Sequence, residues 1–515
     1  MSDIKNENAL GAECCERERK IFSVRGESSC DHILPDYMGD VKKLLKCSVS
    51  VIPCDKFIGG GEISFLNTLT YYVMYLDRDD VLTEATFTSE YEHTESVDES
   101  FIDGDADTRV QNLTIRLQGP RKICAKASLT MDIYMMEEKP LPTVELPANA
   151  ETRESKVKVH AAEYFAGKER EYAEEIGRLS GTSCDDVEVI KCSVHPVIDT
   201  CEEVTDGICL KGSALGAVIL RVGEDIVRLE KRLPIEDVIS GDYIEHNGAA
   251  YCGFCYATDV TANVNNEVSE AQSVDYYSSV VINFTTECYA RRDGNREYTL
   301  TTDAFVTGMH TDCTYEDFSY SEFLGSSLER RKLSYEIKRD ESLLRDIIDC
   351  DAQIKNLRWS VLGEEVVMSG DIAICCVASG SEPTDCYTVK HDSEFEERIK
   401  FSGANENCQA SGRIQINDIS VSFDTEKIYV SVTLSVSALV EESKCLSVLK
   451  SVSCEERTDN NKHSVTVYYP KSDDTVWSIA KEYGVSVETL MKYNSVADLN
   501  LNDSISLERV IIVNN

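Results

Sequence analysis

The sequence predicts a mainly β protein: three tandem β-sandwich-like repeat domains followed by a small βααβ domain. Three observations predict it. A unit recurs in register at three places, its strand positions alternate with period two, and the last fifty residues switch to a helical period.

The repeat is anchored on Cys47, Cys192 and Cys350. Each opens a short alternating strand: Cys47-x-Val49-x-Val51, Cys192-x-Val194 and Cys350-x-Ala352-x-Ile354. Turn residues follow at Gly59-Gly60-Gly61, Asp206-Gly207 and Gly363-Glu364, and a second strand starts 16 residues after each anchor. Its alternate positions run from Ile63 through Phe65, Leu69 and Tyr71 to Val73 in the first copy. In the second they run from Ile208 to Val218, and in the third from Val366 to Cys376. Alternation of this kind buries one face of each strand in a sheet. Further strands close each copy, at Leu113–Leu117 and Ala127–Ile133, Val280–Phe284, and Ile414–Phe423 and Ile428–Val436. The anchors lie 145 and 158 residues apart, so each unit is a domain rather than a solenoid repeat. The expected divisions are 1–139, 140–290 and 291–440, a charged linker at 441–462, and the last domain at 463–515. The stretch from His160 to Leu179 reads as partly helical.

In the C-terminal domain, Val465-x-Val467-x-Tyr469 reads as a strand. Asp473-Asp474-Thr475 then caps a helix whose apolar face is Val476, Ile479, Ala480 and Tyr483, and Gly484 stops it. Ser486 caps a second helix bearing Val487, Leu490, Met491 and Asn494, and Val510-x-Ile512 is the closing strand. Trp477 falls one residue, about 100°, off the first apolar stripe. That offset predicts a partly exposed Trp and a partner-binding anchor. The alternative is that Trp477 packs on a neighbouring strand or on the third β domain.

Composition narrows the function. The 515 residues carry 92 acidic against 52 basic side chains, a net charge of −40. So acidic a surface repels nucleic acid and anionic membrane. The polar start and the lack of any ~18-residue apolar run predict no signal peptide and no membrane insertion, hence a cytoplasmic protein. Twenty-one cysteines, an odd number at irregular spacing, point to free thiols used as small core hydrophobes rather than a disulfide framework. The one CxxC, Cys252 to Cys255, lies among β-like residues and reads as strand rather than as a redox or zinc motif. The eight His are scattered, and neither G-x-S-x-G nor a phosphate-binding loop occurs. The expectation is a protein that is not an enzyme, with no metal and no cofactor.

Two resemblances sharpen this. The run from Asp474-Thr475-Val476-Trp477 through Ile479-Ala480 and Tyr483 to Asn494 resembles a LysM domain. Asp473 stands where that family has Gly, and Asn500-Leu501-Asn502-Asp503 replaces a loop Gly. Both loops border the sugar groove of glycan-binding LysM domains, so the resemblance with these changes implies a protein partner more than a glycan. Its implied contact residues are Val467, Asp473, Asp474, Thr475, Val476 and Trp477. Ile479, Tyr483, Asn494, Asn500, Leu501 and Asn502 complete the set. The run Leu34-Pro35-Asp36-Tyr37-Met38-Gly39-Asp40-Val41, on to Cys47, resembles the entry of the SPOCS domain family of spore-forming bacteria. That resemblance implies a spore-coat scaffold at the forespore surface in the mother cell. Its LysM domain would dock on the coat-anchoring ATPase, and its β domains would meet other coat proteins or a second copy. The alternative is a peptidoglycan-binding LysM protein that grips N-acetylglucosamine chains.

Overall fold

A computed structural model describes residues 14–240, 247–268, 276–338, 344–380, 385–456, 465–494 and 509–513. The first sandwich contains β1 (Cys14–Ile33), β2 (Val41–Gly59), β3 (Glu62–Asp77), β4 (Leu82–Ser96), β5 (Phe101–Gly119) and β6 (Lys122–Pro140). They form two antiparallel sheets, β2-β3-β4 and β1-β6-β5. In β3 the alternation survives intact: Ile63, Phe65, Leu69, Tyr71 and Val73 are all fully buried. Gly60 and Gly61 make the β2–β3 turn at φ of 65° and 80°, a conformation that a Cβ would strain.

The second sandwich has β7 (Ala150–Ala166), β8 (Arg170–Ser180), β9 (Val187–Val204), β10 (Gly207–Val222), β11 (Asp225–Ile239), β12 (Asn247–Val268) and β13 (Tyr276–Val306). The third has β14 (Met309–Lys338), β15 (Asp346–Leu362), β16 (Glu365–Ser379), β17 (Cys386–Lys400), β18 (Cys408–Phe423) and β19 (Lys427–Glu456). Both repeat the first topology, with β9-β10-β11 and β15-β16-β17 as meanders. β7 and β8 together fill the place of β1, each pairing with part of β13. The anchor cysteines face the same partner position in all three copies: Cys47 opposite Val73, Cys192 opposite Val218, Cys350 opposite Cys376.

The structure corrects three readings of the body. The span from His160 to Leu179 is not helical; it is the end of β7 and β8, broken near Gly167. Val157 and Val159 are buried on either side of exposed Lys158, 160–162 are buried on both faces, and pairing with β13 satisfies the backbone. Residues 441–456 are not a linker either. β19 runs through them, burying Val448 and Leu449, while Glu441 and Lys444 pair with His160 and Glu322. Residues 457–462 lie outside the described residues. β13 also crosses the expected break at 290, so the second sandwich extends to Val306.

The overhanging halves form a stalk. Residues 296–306 of β13 pair with β7 alone, and 309–323 of β14 pair with the end of β19. Val159, Tyr298, Leu300, Phe318 and Val448 pack between the two ribbons. Eleven residues of strand carry the stalk roughly 35 Å.

The three sandwiches close on one another. β5 packs on β15, β18 on β9, and β12 on β2, so the fifth strand of each copy meets the second strand of another, head to tail around a ring. The device that joins them recurs at one repeat position. Leu45, Ile190 and Ile348, each two residues before an anchor cysteine, are skipped in the pairing registers of β2, β9 and β15. A bulge re-aims the extra side chain. These three leave the sandwich interiors and meet Met74, Ile219 and Val377 in a single apolar cluster.

The next residues are Lys46, Lys191 and Asp349, each almost fully buried. Lys46 Nζ and Lys191 Nζ lie 2.5 and 2.7 Å from the same Asp349 oxygen. Asp351 pairs with Lys46 and stands 3.8 Å from Lys191. One buried ion cluster therefore draws on all three sandwiches. Beyond it, the second and fifth strands line a cavity of about 820 Å³.

Candidate functional site

The C-terminal domain is built as the helical period requires. β20 (Val465–Tyr468) pairs antiparallel with β21 (Val510–Val513), and α1 (Val476–Tyr483) and α2 (Val487–Asn494) pack on one face of the pair. Thr475 caps α1: its hydroxyl accepts from Ser478 N at 3.1 Å, and the Ser478 hydroxyl accepts from Thr475 N at 2.9 Å. Gly484 ends the helix at φ 64°. Thr475→Ala removes half of this capping box and should cost about 1 kcal/mol. Amide exchange in the first turn of α1 checks it: protection there should fall while that of α2 holds.

The candidate residues divide by role. Val476 and Ile479 are fully buried core. Tyr483 packs edge-on against Tyr468 at 5.5 Å. Asn494 is a brace rather than a free ligand group. Its amide donates to Leu490 O and Ile511 O at 2.8 and 2.7 Å and accepts from Ile511 N at 2.6 Å. Asp474 braces the loop before α1, accepting from Lys471 N and the Tyr468 hydroxyl, both at 2.7 Å. Those bonds hold its carboxyl below the usual range. Asp473 is exposed at the apex of the same loop. Asn500, Leu501 and Asn502 lie outside the described residues.

Trp477 corrects the sequence reading most sharply. It is 2% exposed, and a different domain covers it. Its Nε1 donates to Asp303 Oδ2 at 2.7 Å, and Phe305 meets its ring edge-on at 5.1 Å. The Arg153 guanidinium stands 5.7 Å from the ring centroid. Lys481, one turn further on, reaches Asp303 Oδ1 at 2.5 Å, and the Tyr315 hydroxyl donates to the same oxygen at 2.9 Å. Burial pushes the Asp303 carboxyl up, but the bonds from Lys481, Trp477 and Tyr315 outweigh it and hold the group below the usual range. Gly308 N donates to Gly484 O at 2.8 Å and Val487 N to Glu151 at 3.2 Å. Trp477 is off the stripe in sequence, yet its ring joins the apolar cluster of Val476, Ile479 and Ala480, with Phe305 as the outer member. What lies there is the stalk tip, not solvent. The alternative reading, Trp477 packed on a neighbouring strand, is the one the structure shows.

With α1 seated on the stalk, the outer face of the β20–β21 pair is left open. Val465, Val467 and Tyr469 are 55, 50 and 71% exposed along one side of β20 and its extension. Ile511 and Val513, opposite Val467 and Val465, are half-buried beside them. Of the expected contact residues, Val467 belongs to this face. Val465 and Tyr469 were missed as contacts, although the strand alternation put all three on one side. Among the described residues no helix is long and apolar enough to cross a membrane, and no group of three or more His, Cys, Asp or Glu is arranged to hold a metal ion.

The LysM domain family matches residues 471–514. No curated protein and no solved structure matches the chain. The C-terminal segment is thus a LysM domain, mounted on a mainly β body.

Proposed function

We propose that the chain is a non-enzymatic scaffold that uses its LysM domain to dock a protein partner. The observation that carries this reading is the open apolar face of Val465, Val467 and Tyr469 at the far side of the domain from the stalk. Contiguous exposed apolar side chains on an otherwise strongly acidic chain favour a protein contact. The resemblance of the body to SPOCS domains supplies the setting: a spore coat assembled from the mother-cell cytoplasm, with the coat-anchoring ATPase as the partner. The second reading, a peptidoglycan-type glycan, has the LysM match itself in its favour.

Binding of the full chain to the immobilised ATPase and to insoluble peptidoglycan distinguishes the two. A Val465→Asp/Val467→Asp chain should lose ATPase binding about thirtyfold, the loss of one interface hot spot. Its fold should change little, because both side chains are already half in water. Tight retention on peptidoglycan, unaffected by the two aspartates, would favour the glycan.

A further inference from the structure

The three anchor cysteines occupy equivalent sites, but only the third faces another cysteine: Val73 and Val218 stand where the third copy has Cys376. The Cys350 and Cys376 sulfurs are 2.9 Å apart across the β15–β16 ladder, and both side chains are buried. Cys350 lies between Asp349 and Asp351, the carboxylates that hold Lys46 and Lys191, and it borders the central cavity. We propose that Cys350 and Cys376 are an oxidation site, closed into a disulfide by a small hydroperoxide that enters the cavity, and that closure pins the strand on which the ring depends.

The chemistry balances without another reactant. The Cys350 thiolate, on the cavity wall, attacks one peroxide oxygen and becomes a sulfenic acid, and the other oxygen leaves as water after taking up a proton. The Cys376 thiol then displaces the sulfenic hydroxyl as a second water, and the S–S bond forms. Two thiols and one hydrogen peroxide give one disulfide and two waters. The order follows from access: Cys350 lines the cavity and Cys376, opposite it on β16, does not. The 2.9 Å between the sulfurs leaves about 1 Å to close to a bonded S–S distance.

The test treats the full chain with hydrogen peroxide, blocks remaining thiols, and maps linked peptides. A 350–376 link should appear, and the melting temperature should rise by roughly 5 °C, as expected for a closed hairpin loop. Cys376→Val installs the residue type that the other two copies carry, so it should fold; it should abolish both the link and the rise, and Cys375→Val should abolish neither. Recovery of Cys350 and Cys376 as free thiols after the exposed Cys445 has been oxidised would overturn the proposal. A link that forms with no change in melting would overturn the pinning.

Discussion

Asp349→Ala should open the ring, at a cost of about 3–5 kcal/mol, because it removes the carboxylate that two buried ammonium groups share and leaves Lys191 without a close partner carboxylate in the cluster. Lys46 and Lys191 come from different sandwiches and share that carboxylate, and each is at most 7% exposed. Asp351 still pairs with Lys46 but stands 3.8 Å from Lys191. Asp349→Asn, which keeps the shape but not the charge, should cost nearly as much. Urea titration of wild type and both variants, followed by tyrosine fluorescence, reads the loss.

The same cluster fixes a pH dependence. Burial pushes the Asp349 and Asp351 carboxyls up, but Lys191 and Lys46 outweigh it, so both lie below their ordinary 3.8. Their stabilisation is complete above that value and is lost as pH falls through the folded values. Burial pulls Lys46 and Lys191 down, but the two aspartates raise them above 10.5. That contribution is present below 10.5 and is lost only as pH rises through the folded values. Glu84 beside Lys191 works the other way. Burial lifts it from 4.5 to about 7, so stability declines as pH rises across that interval.

Trp477→Ala should release the LysM domain from the stalk. The ring is fully covered, and its loss removes the Phe305 contact and the indole bond to Asp303, which keeps Lys481, Tyr315 and a 3.9 Å ion pair to Arg153. Truncating a buried Trp costs about 3–5 kcal/mol. Part of that falls on the junction, because Trp477 and Phe305 share one apolar cluster with Val476, Ile479, Ala480 and Leu490, so truncation loosens the domain core and its seat on the stalk together. Limited proteolysis of the full chain should therefore cut the variant between the body and the LysM domain well before wild type. Trp477 is a positioning residue in this account. Its loss should lower partner binding by freeing the domain to tumble, whereas Val465→Asp/Val467→Asp should lower binding with the junction intact.

The strands around the anchor cysteines were legible because alternation records which face is buried, and the observed partners of Cys47, Cys192 and Cys350 keep that register. The LysM helices were legible from Thr475 and Gly484, whose capping chemistry is local. The ring was not. Lys46, Lys191 and Asp349 look like ordinary solvent-face charges, and nothing nearby marks Leu45, Ile190 or Ile348 as bulged. A bulge changes pairing without changing residue type. The segment 441–456 misled for a related reason: Glu441 and Lys444 read as linker charges, yet they pair with His160 and Glu322 from other strands, in a strand that buries Val448 and Leu449. Trp477 was misplaced because its cover, Asp303 and Phe305, stands more than 170 residues earlier in the chain.

The central structural claim is that three repeats interlock as one ring rather than trailing as separate beads. Native-state hydrogen exchange of the full chain, wild type against Asp349→Ala, tests it most directly. The account predicts that amides around Leu45, Ile190 and Ile348 open together in wild type and lose protection together in the variant. Loss confined to the strands around Ile348, with the other two segments unchanged, would contradict it.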